Sequence, residues 1–397
     1  MPPFNPLLQR TAPPPVMEAR RWLQGIDFPP ERPLINLSQA APVDPPPDPL
    51  VEAMADTLRS DPTTHLYGPV LGLPALRSEI AWRWSALYGG EIRPDEVAVT
   101  AGCNQAFCTA IATLAAPGDA VLLPVPWYFN HKMWLDLSGI DTIPLPCTPD
   151  MFPDPDAARA RLTPRTRAIV LVTPNNPTGA EYPPALVAEF AEIARANDLA
   201  LVLDETYRDF RSDPARPHDL FTDPAWRDRL VHLYSFSKSF RLTGHRTGAM
   251  IASPARLAEA EKVLDTVTIC APQLGQRAAL WGLRNLADWV AAERLEILRR
   301  RDAARAALAA LPGWRTLGCG AYFAYVEHPY PIPSATLCPL LVREASLLML
   351  PGTMFAPTPA EGGDPRAARQ LRIAFANVGT EGLATLGTRL AALTVPA

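Results

Sequence analysis

The 397-residue sequence predicts an α/β protein: a large domain with a mostly parallel sheet flanked by helices, plus a smaller α+β domain. Three observations carry this expectation. Apolar runs alternate with amphipathic stretches through the middle of the chain, the texture changes after an Arg- and Ala-rich stretch near residue 286, and prolines cluster between these segments. The length is too great for one small core and suits a large domain with a lesser companion.

The extended segment Leu34–Leu37 precedes the first βαβ unit and is cut off from it by the proline-rich loop Pro42–Pro49, so it is assigned to the smaller domain. Val97–Thr100, Ala120–Leu123, Ala168–Val172, Leu199–Leu203 and Leu230–Tyr234 read as strands. Continuous apolar runs of this length suit a sheet covered on both faces. Gln105–Leu114 and Ala185–Ala196 read as helices between strands, the second stopping at Asn197-Asp198. Leu286–Leu311 reads as one long helix, followed by shorter strands, loops and a final helix. The predicted division is residues 50–285 for the large domain, and 1–49 with 286–397 for the small one.

The formal charge of -4 comes from dispersed acids and bases, which asks for neither nucleic acid nor membrane as a partner. No stretch reaches the roughly 18 apolar residues of a membrane span, and the amino terminus has no continuous apolar segment of the signal-peptide kind. The cysteines (Cys103, Cys108, Cys147, Cys270, Cys319 and Cys338) form no CxxC pair and share no metal-like spacing with the scattered histidines. A soluble cytoplasmic protein with reduced thiols and no metal is expected. Lysine occurs only at positions 132, 238 and 262, which narrows the choice if the chemistry needs a primary amine.

The most specific segment is Ser235-Phe-Ser-Lys238-Ser-Phe-Arg-Leu-Thr-Gly-His-Arg246, directly after a predicted strand. It sets an amine among hydroxyls and cations, where burial and positive neighbours lower an amine pKa enough for imine formation near neutral pH. Alone, Lys238 reads as a solvated surface lysine. Two further clusters change that reading: Asp204-Glu-Thr-Tyr207 ends one predicted strand and Pro174-Asn-Asn176-Pro-Thr-Gly179 ends another. Ligands of parallel sheets bind outside the carboxyl ends of strands, so three polar clusters at strand ends are expected to line one cleft.

The order Asn-Pro-Thr-Gly, then Asp-x-x-Tyr, then Ser-x-Ser-Lys with an arginine eight residues later resembles the class I/II aminotransferases, fold-type-I pyridoxal-phosphate enzymes. The resemblance covers nearly the whole chain and implies a role for each group. Lys238 forms the Schiff base with pyridoxal 5'-phosphate. Asp204 pairs with the pyridinium nitrogen, and Asn176 and Tyr207 bond the phenolic oxygen. Ser235, Arg246 and the turn Gly102-Cys103-Asn104 at a helix start hold the phosphate. Trp127 stacks on the pyridine ring, with Tyr128 the neighbour that could be confused with it. Tyr67 reaches the phosphate of a neighbouring subunit, implying a homodimer with shared active sites. Arg372, in Leu-Arg-Ile-Ala-Phe, grips the substrate carboxylate, and Ala40 with Asn176 completes the substrate site.

The implied reaction moves an amino group from an amino acid to a 2-oxo acid. One departure bears on the substrate: in Ile35-Asn-Leu-Ser-Gln-Ala-Ala-Pro42, Ala40 and Ala41 stand where many relatives have glycine and a large aromatic. A bulky substrate or a changed reaction follows from such a change. A pyridoxal-phosphate lyase, oxidase or cyclase is therefore the alternative enzyme. A non-catalytic regulator is the reading of a different class, and it lacks the basic DNA-binding domain such proteins carry.

Overall fold

The computed structural model describes residues 2–394. Its centre is a seven-stranded sheet drawn from Val97 to Ile251, in the spatial order Val97–Thr100, Gly248–Ile251, Leu230–Ser235, Ala200–Asp204, Thr166–Val172, Ala120–Val125 and Asp141–Pro146. Gly248–Ile251 runs antiparallel to both neighbours and the remaining pairs are parallel. The inner parallel strands Ala120–Val125, Thr166–Val172, Ala200–Asp204 and Leu230–Ser235 are buried along most of their length because helices cover both faces, which is why Val, Leu, Ile and Ala dominate them rather than an alternating pattern.

Helices form where the sequence switches from period two to the helical period. Pro184–Ala196 begins with proline in its first turn, turns Val187, Phe190, Ile193 and Ala194 inward, and ends at Asn197. The ten-residue helix Cys103–Ala112 starts at Gly102, whose φ of +85° lies in the left-handed region that glycine tolerates. The long helix runs Ala287–Ala309.

Beyond it, Arg315–Gly320, Phe323–Glu327, Leu350–Pro351 and Gln370–Ile373 form a four-stranded antiparallel sheet with Phe323–Glu327 and Gln370–Ile373 at its centre. Ile35–Asn36 pairs in parallel with Leu347–Leu348, so the amino-terminal segment attaches to the carboxyl-terminal part of the chain. This pairing brings residues 35–41 against the central-sheet cleft. Among the described residues no helix is long and apolar enough to cross a membrane.

Candidate active site

The strands ending at Thr100, Val172, Asp204 and Ser235 point the same way, so their exits gather on one edge of the sheet. A cleft of about 430 Å³ opens there. It is lined by Ala40, Cys103, Asn104, Asn176, Asp204, Tyr207, Ser235, Lys238, Arg246 and Arg372, all expected from the sequence. A larger hollow of about 1010 Å³, between the Asp141–Pro146 edge strand and the small sheet, contains none of these groups. The chemistry therefore selects the smaller cleft. An adjoining hollow of about 760 Å³ shares Arg20, Gln39, Ala41 and Thr243 with it.

Lys238 sits on the four-residue helix Phe236–Ser239, immediately past its strand. Its Nζ donates to the Ala40 carbonyl at 2.5 Å. Burial, then the positive charges of Arg246 and Arg372, lower its pKa to about 7. An ordinary lysine is overwhelmingly protonated at neutral pH, whereas this amine is half neutral and able to attack a carbonyl.

Asp204 is buried at the end of its strand. Burial by itself raises a carboxyl pKa, but bonding and charge from His131, whose Nε2 lies 3.4 Å away, and bonding from Thr206 at 3.0 Å hold it below the usual range. The group is a carboxylate at neutral pH. His131 is itself fixed by stacking on Phe107, with ring centroids 3.7 Å apart.

Arg372 is 2 % exposed and faces three aromatic rings, those of Phe129, Phe323 and Phe355. One Nη donates to Asn176 Oδ1 at 3.0 Å and the other to the Ser38 carbonyl, while Nε has no hydrogen-bond partner among the described residues. Among the described residues no carboxylate pairs with this buried cation, which suits it to a carboxylate ligand. Because Arg372 donates to Oδ1, the Asn176 amide nitrogen is left as a donor. Burial, then the neighbouring phenols, push the Tyr207 pKa far above normal, so its hydroxyl also stays a donor.

Arg246 takes a left-handed φ of 50°, and its Nη1 reaches the Thr243 carbonyl at 2.9 Å and Ser237 Oγ at 3.5 Å. A Cβ on Gly102 would stand 2.3 Å from Arg246 Nη2, so the helix start and the guanidinium share a space only glycine leaves open. The first-turn N–H groups of the Cys103–Ala112 helix and this cation form an anion cradle. Ser235 lies beside it, its Oγ accepting from Ser237 N at 3.3 Å.

Two expected residues lie elsewhere. Trp127 does not line the cleft; its side chain packs in the core with Phe107 and Leu135, and Tyr128 lines the cleft instead. Adjacent residues of an extended segment face opposite ways, so displacement by one position exchanges core and cleft. Tyr67 is 79 % exposed and outside this chain's cleft. The sequence reading also missed three contributors: Thr206, His131 behind Asp204, and the helix Pro15–Arg21, which brings Val16, Met17 and Arg20 to the cleft. The last had a signal, since proline in a first turn starts helices as readily as it marks loops.

The buried amine, the carboxylate with its own hydrogen-bond donors, and the anion cradle fit a pyridine aldehyde bearing a phosphate. The sequence profile of the family "aminotransferase class I and II" matches residues 32–390. The chain belongs to that family. It is similar to an arginine–pyruvate transaminase of Pseudomonas aeruginosa, 32% identical with 79% of this chain and 80% of that protein covered. A bifunctional aspartate and glutamate/aspartate-prephenate aminotransferase of Petunia hybrida is 29% identical, covering 81% of this chain and 71% of the relative. Among solved structures, the N-succinyldiaminopimelate aminotransferase of Mycobacterium tuberculosis superposes with a TM-score of 0.88 at 26% identity, over 98% of this chain and 100% of the other. This aminotransferase is therefore a fold-type-I transferase enzyme from a pyridoxal-phosphate-dependent family whose substrates are amino and oxo acids. The lyase, oxidase or cyclase alternative is not favoured.

Proposed function

We propose that this aminotransferase holds pyridoxal 5'-phosphate as a Schiff base on Lys238 and transfers the amino group of an amino acid to a 2-oxo acid within the cleft around that lysine. The observation that carries this is a buried lysine amine with a pKa of about 7, in one cleft with an ionised Asp204 and an Arg372 that has no carboxylate partner. In this reading residues 50–285 form the cofactor-holding domain, and residues 1–49 with 286–397 bring Arg372 and Ala40 to it. The bound cofactor supplies a conjugated pyridinium that takes up the electron pair left when the substrate Cα–H bond breaks.

The chain's own groups do the rest. Asp204 keeps a proton on the ring nitrogen, and Asn176 and Tyr207 donate to the phenolic oxygen. Ser235, Arg246 and the Gly102-Cys103-Asn104 helix start hold the phosphate. We assign the stacking role to Tyr128, which lines the cleft, rather than to Trp127. Arg372 binds the substrate carboxylate and Lys238 carries the proton between carbon positions. The side chain is directed past Ala40 and Ala41 to the hollow bordered by Arg20 and Gln39, which favours long or bulky amino acids.

The exposed apolar side chains of Leu66, Tyr67, Val267 and Ile269 favour a homodimer in which Tyr67 reaches the partner's cleft. The segments carrying them are joined, since Gly68 N bonds Cys270 Sγ at 3.4 Å and Arg277 pairs with Asp61 at 2.9 Å. A monomer in solution scattering would contradict the shared site. We also assign the enzyme to the cytoplasm, a reducing compartment that suits the six free cysteines of the described residues.

Visible absorbance tests the reaction. Amino acids are expected to bleach the imine band of the cofactor-loaded protein and 2-oxo acids to restore it, with long side chains acting faster than alanine. A band that no amino acid bleaches contradicts the reading. The amine pKa adds a prediction with a definite sign: the neutral form is the nucleophile, so cofactor capture by the apoprotein accelerates as pH rises through about 7 and levels off above 8. Stopped-flow capture rates that keep climbing to pH 10 would instead indicate an ordinary lysine.

A further inference from the structure

Two pieces of the site come from different strands. Asp204–Tyr207 leaves the strand Ala200–Asp204, and the Lys238 turn leaves its neighbour Leu230–Ser235. Past a last bond from Glu205 N to the Leu233 carbonyl, at 3.0 Å, the sheet ladder no longer ties them, although the proposed chemistry needs the amine fixed against Asp204 and Tyr207. Ser235 lines the cleft, and Tyr234, one residue earlier in the strand, points to the opposite face.

There the Tyr234 hydroxyl bonds to the carboxylate of Asp209, two residues past Tyr207, and at 2.9 Å to Ser239 Oγ, next to Lys238. The ring is clamped edge-on between Trp84, with centroids 4.9 Å apart, and Phe236, at 5.0 Å. The Arg208 guanidinium lies 4.4 Å from its centroid and places Nε 3.6 Å from Asp209. A hollow of about 220 Å³, bordered by Arg208, Asp209, Tyr234 and Ser239, lies on this side. Burial, then Asp209, push the Tyr234 pKa far up, so the hydroxyl keeps its proton at any working pH.

We propose that Tyr234 is a positioning residue: its hydroxyl, shared between Asp209 and Ser239, fixes the Lys238 turn against the Asp204–Tyr207 loop from behind. The functional meaning rests on Lys238 being the cofactor-binding amine. Removing the hydroxyl leaves Asp209 and Ser239 without their common partner and frees the turn to admit water to the amine. Burial is the largest cause of the low Lys238 pKa, so hydration moves that pKa upward.

With three lysines in the chain, competitive acetylation of the apoprotein across pH, read by peptide mass with Lys262 as the exposed reference, follows the Lys238 amine without cofactor or turnover. Tyr234→Phe, which keeps the ring, and Ser239→Ala, which removes the hydroxyl at the other end, are each expected to raise the Lys238 midpoint by about 0.5–1 pH unit. If both variants keep the wild-type midpoint while their melting temperatures fall, the hydroxyl only stabilises the fold and the proposal is overturned. Failure of the site reading shows separately, as a wild-type protein in which borohydride traps no cofactor on Lys238.

Discussion

Lys238→Ala is expected to lower amino-group transfer by at least about 10⁴-fold, because in the proposed site one amine serves as both the covalent anchor and the proton carrier. The fold is expected to survive. Among the described residues the amine hydrogen-bonds to the Ala40 carbonyl alone, and replacing a buried, half-charged group by a methyl relieves desolvation rather than opening an ion pair. As apoprotein the variant should therefore melt at or above the wild-type apoprotein, and with cofactor added it should lack the imine band. Steady-state rates with any amino acid the wild type accepts check this, and activity within tenfold of wild type would remove Lys238 from the chemistry.

Asp204→Ala is expected to cost about 10²–10³-fold in kcat while leaving cofactor retention much less changed. In the proposed site retention depends on the amine and the anion cradle, which lie at other strand ends. The role we propose for the carboxylate is on the ring's capacity to hold electrons, which turnover needs and binding does not. Its removal also takes the acceptor from His131 and Thr206, so a modest loss of stability accompanies the kinetic loss. Equilibrium dialysis with the cofactor, run beside kcat measurements, separates the two effects. A variant that loses cofactor in proportion to its loss of turnover contradicts this division of labour.

The inner strands and the cleft at their carboxyl ends were legible in the sequence because each signal was local. Ala120–Leu123 and Ala200–Leu203 are uninterrupted apolar runs, and Asp204, Asn176 and Lys238 each stand at or just past a strand end. Two strands of the seven-stranded sheet went unread for physical reasons. Asp141–Pro146 carries prolines at 144 and 146, which its position at the sheet edge tolerates. Gly248–Ile251 is short, opens with glycine and is the antiparallel member.

Side-chain direction was harder to read than backbone. Spacing could not decide between Trp127 and Tyr128, because a one-residue difference in an extended segment exchanges core for cleft. Contacts across long stretches of chain were out of reach altogether. Neither the partnership of Arg372 with Asn176 and Ser38 nor the bridge through Tyr234 follows from any local pattern. The departure at Ala40 is a case of both: the sequence marked it as unusual, while its backbone carbonyl, rather than its side chain, is what meets Lys238.

The central claim is that Lys238 holds the cofactor, and borohydride reduction of the loaded protein followed by peptide mass mapping tests it most directly. Reduction makes the imine permanent, and only three lysines can bear the added mass. The account predicts that mass on the peptide containing Lys238, at one equivalent per chain, and none on Lys132 or Lys262. Label on either of those lysines, or no label with cofactor present in excess, would contradict it.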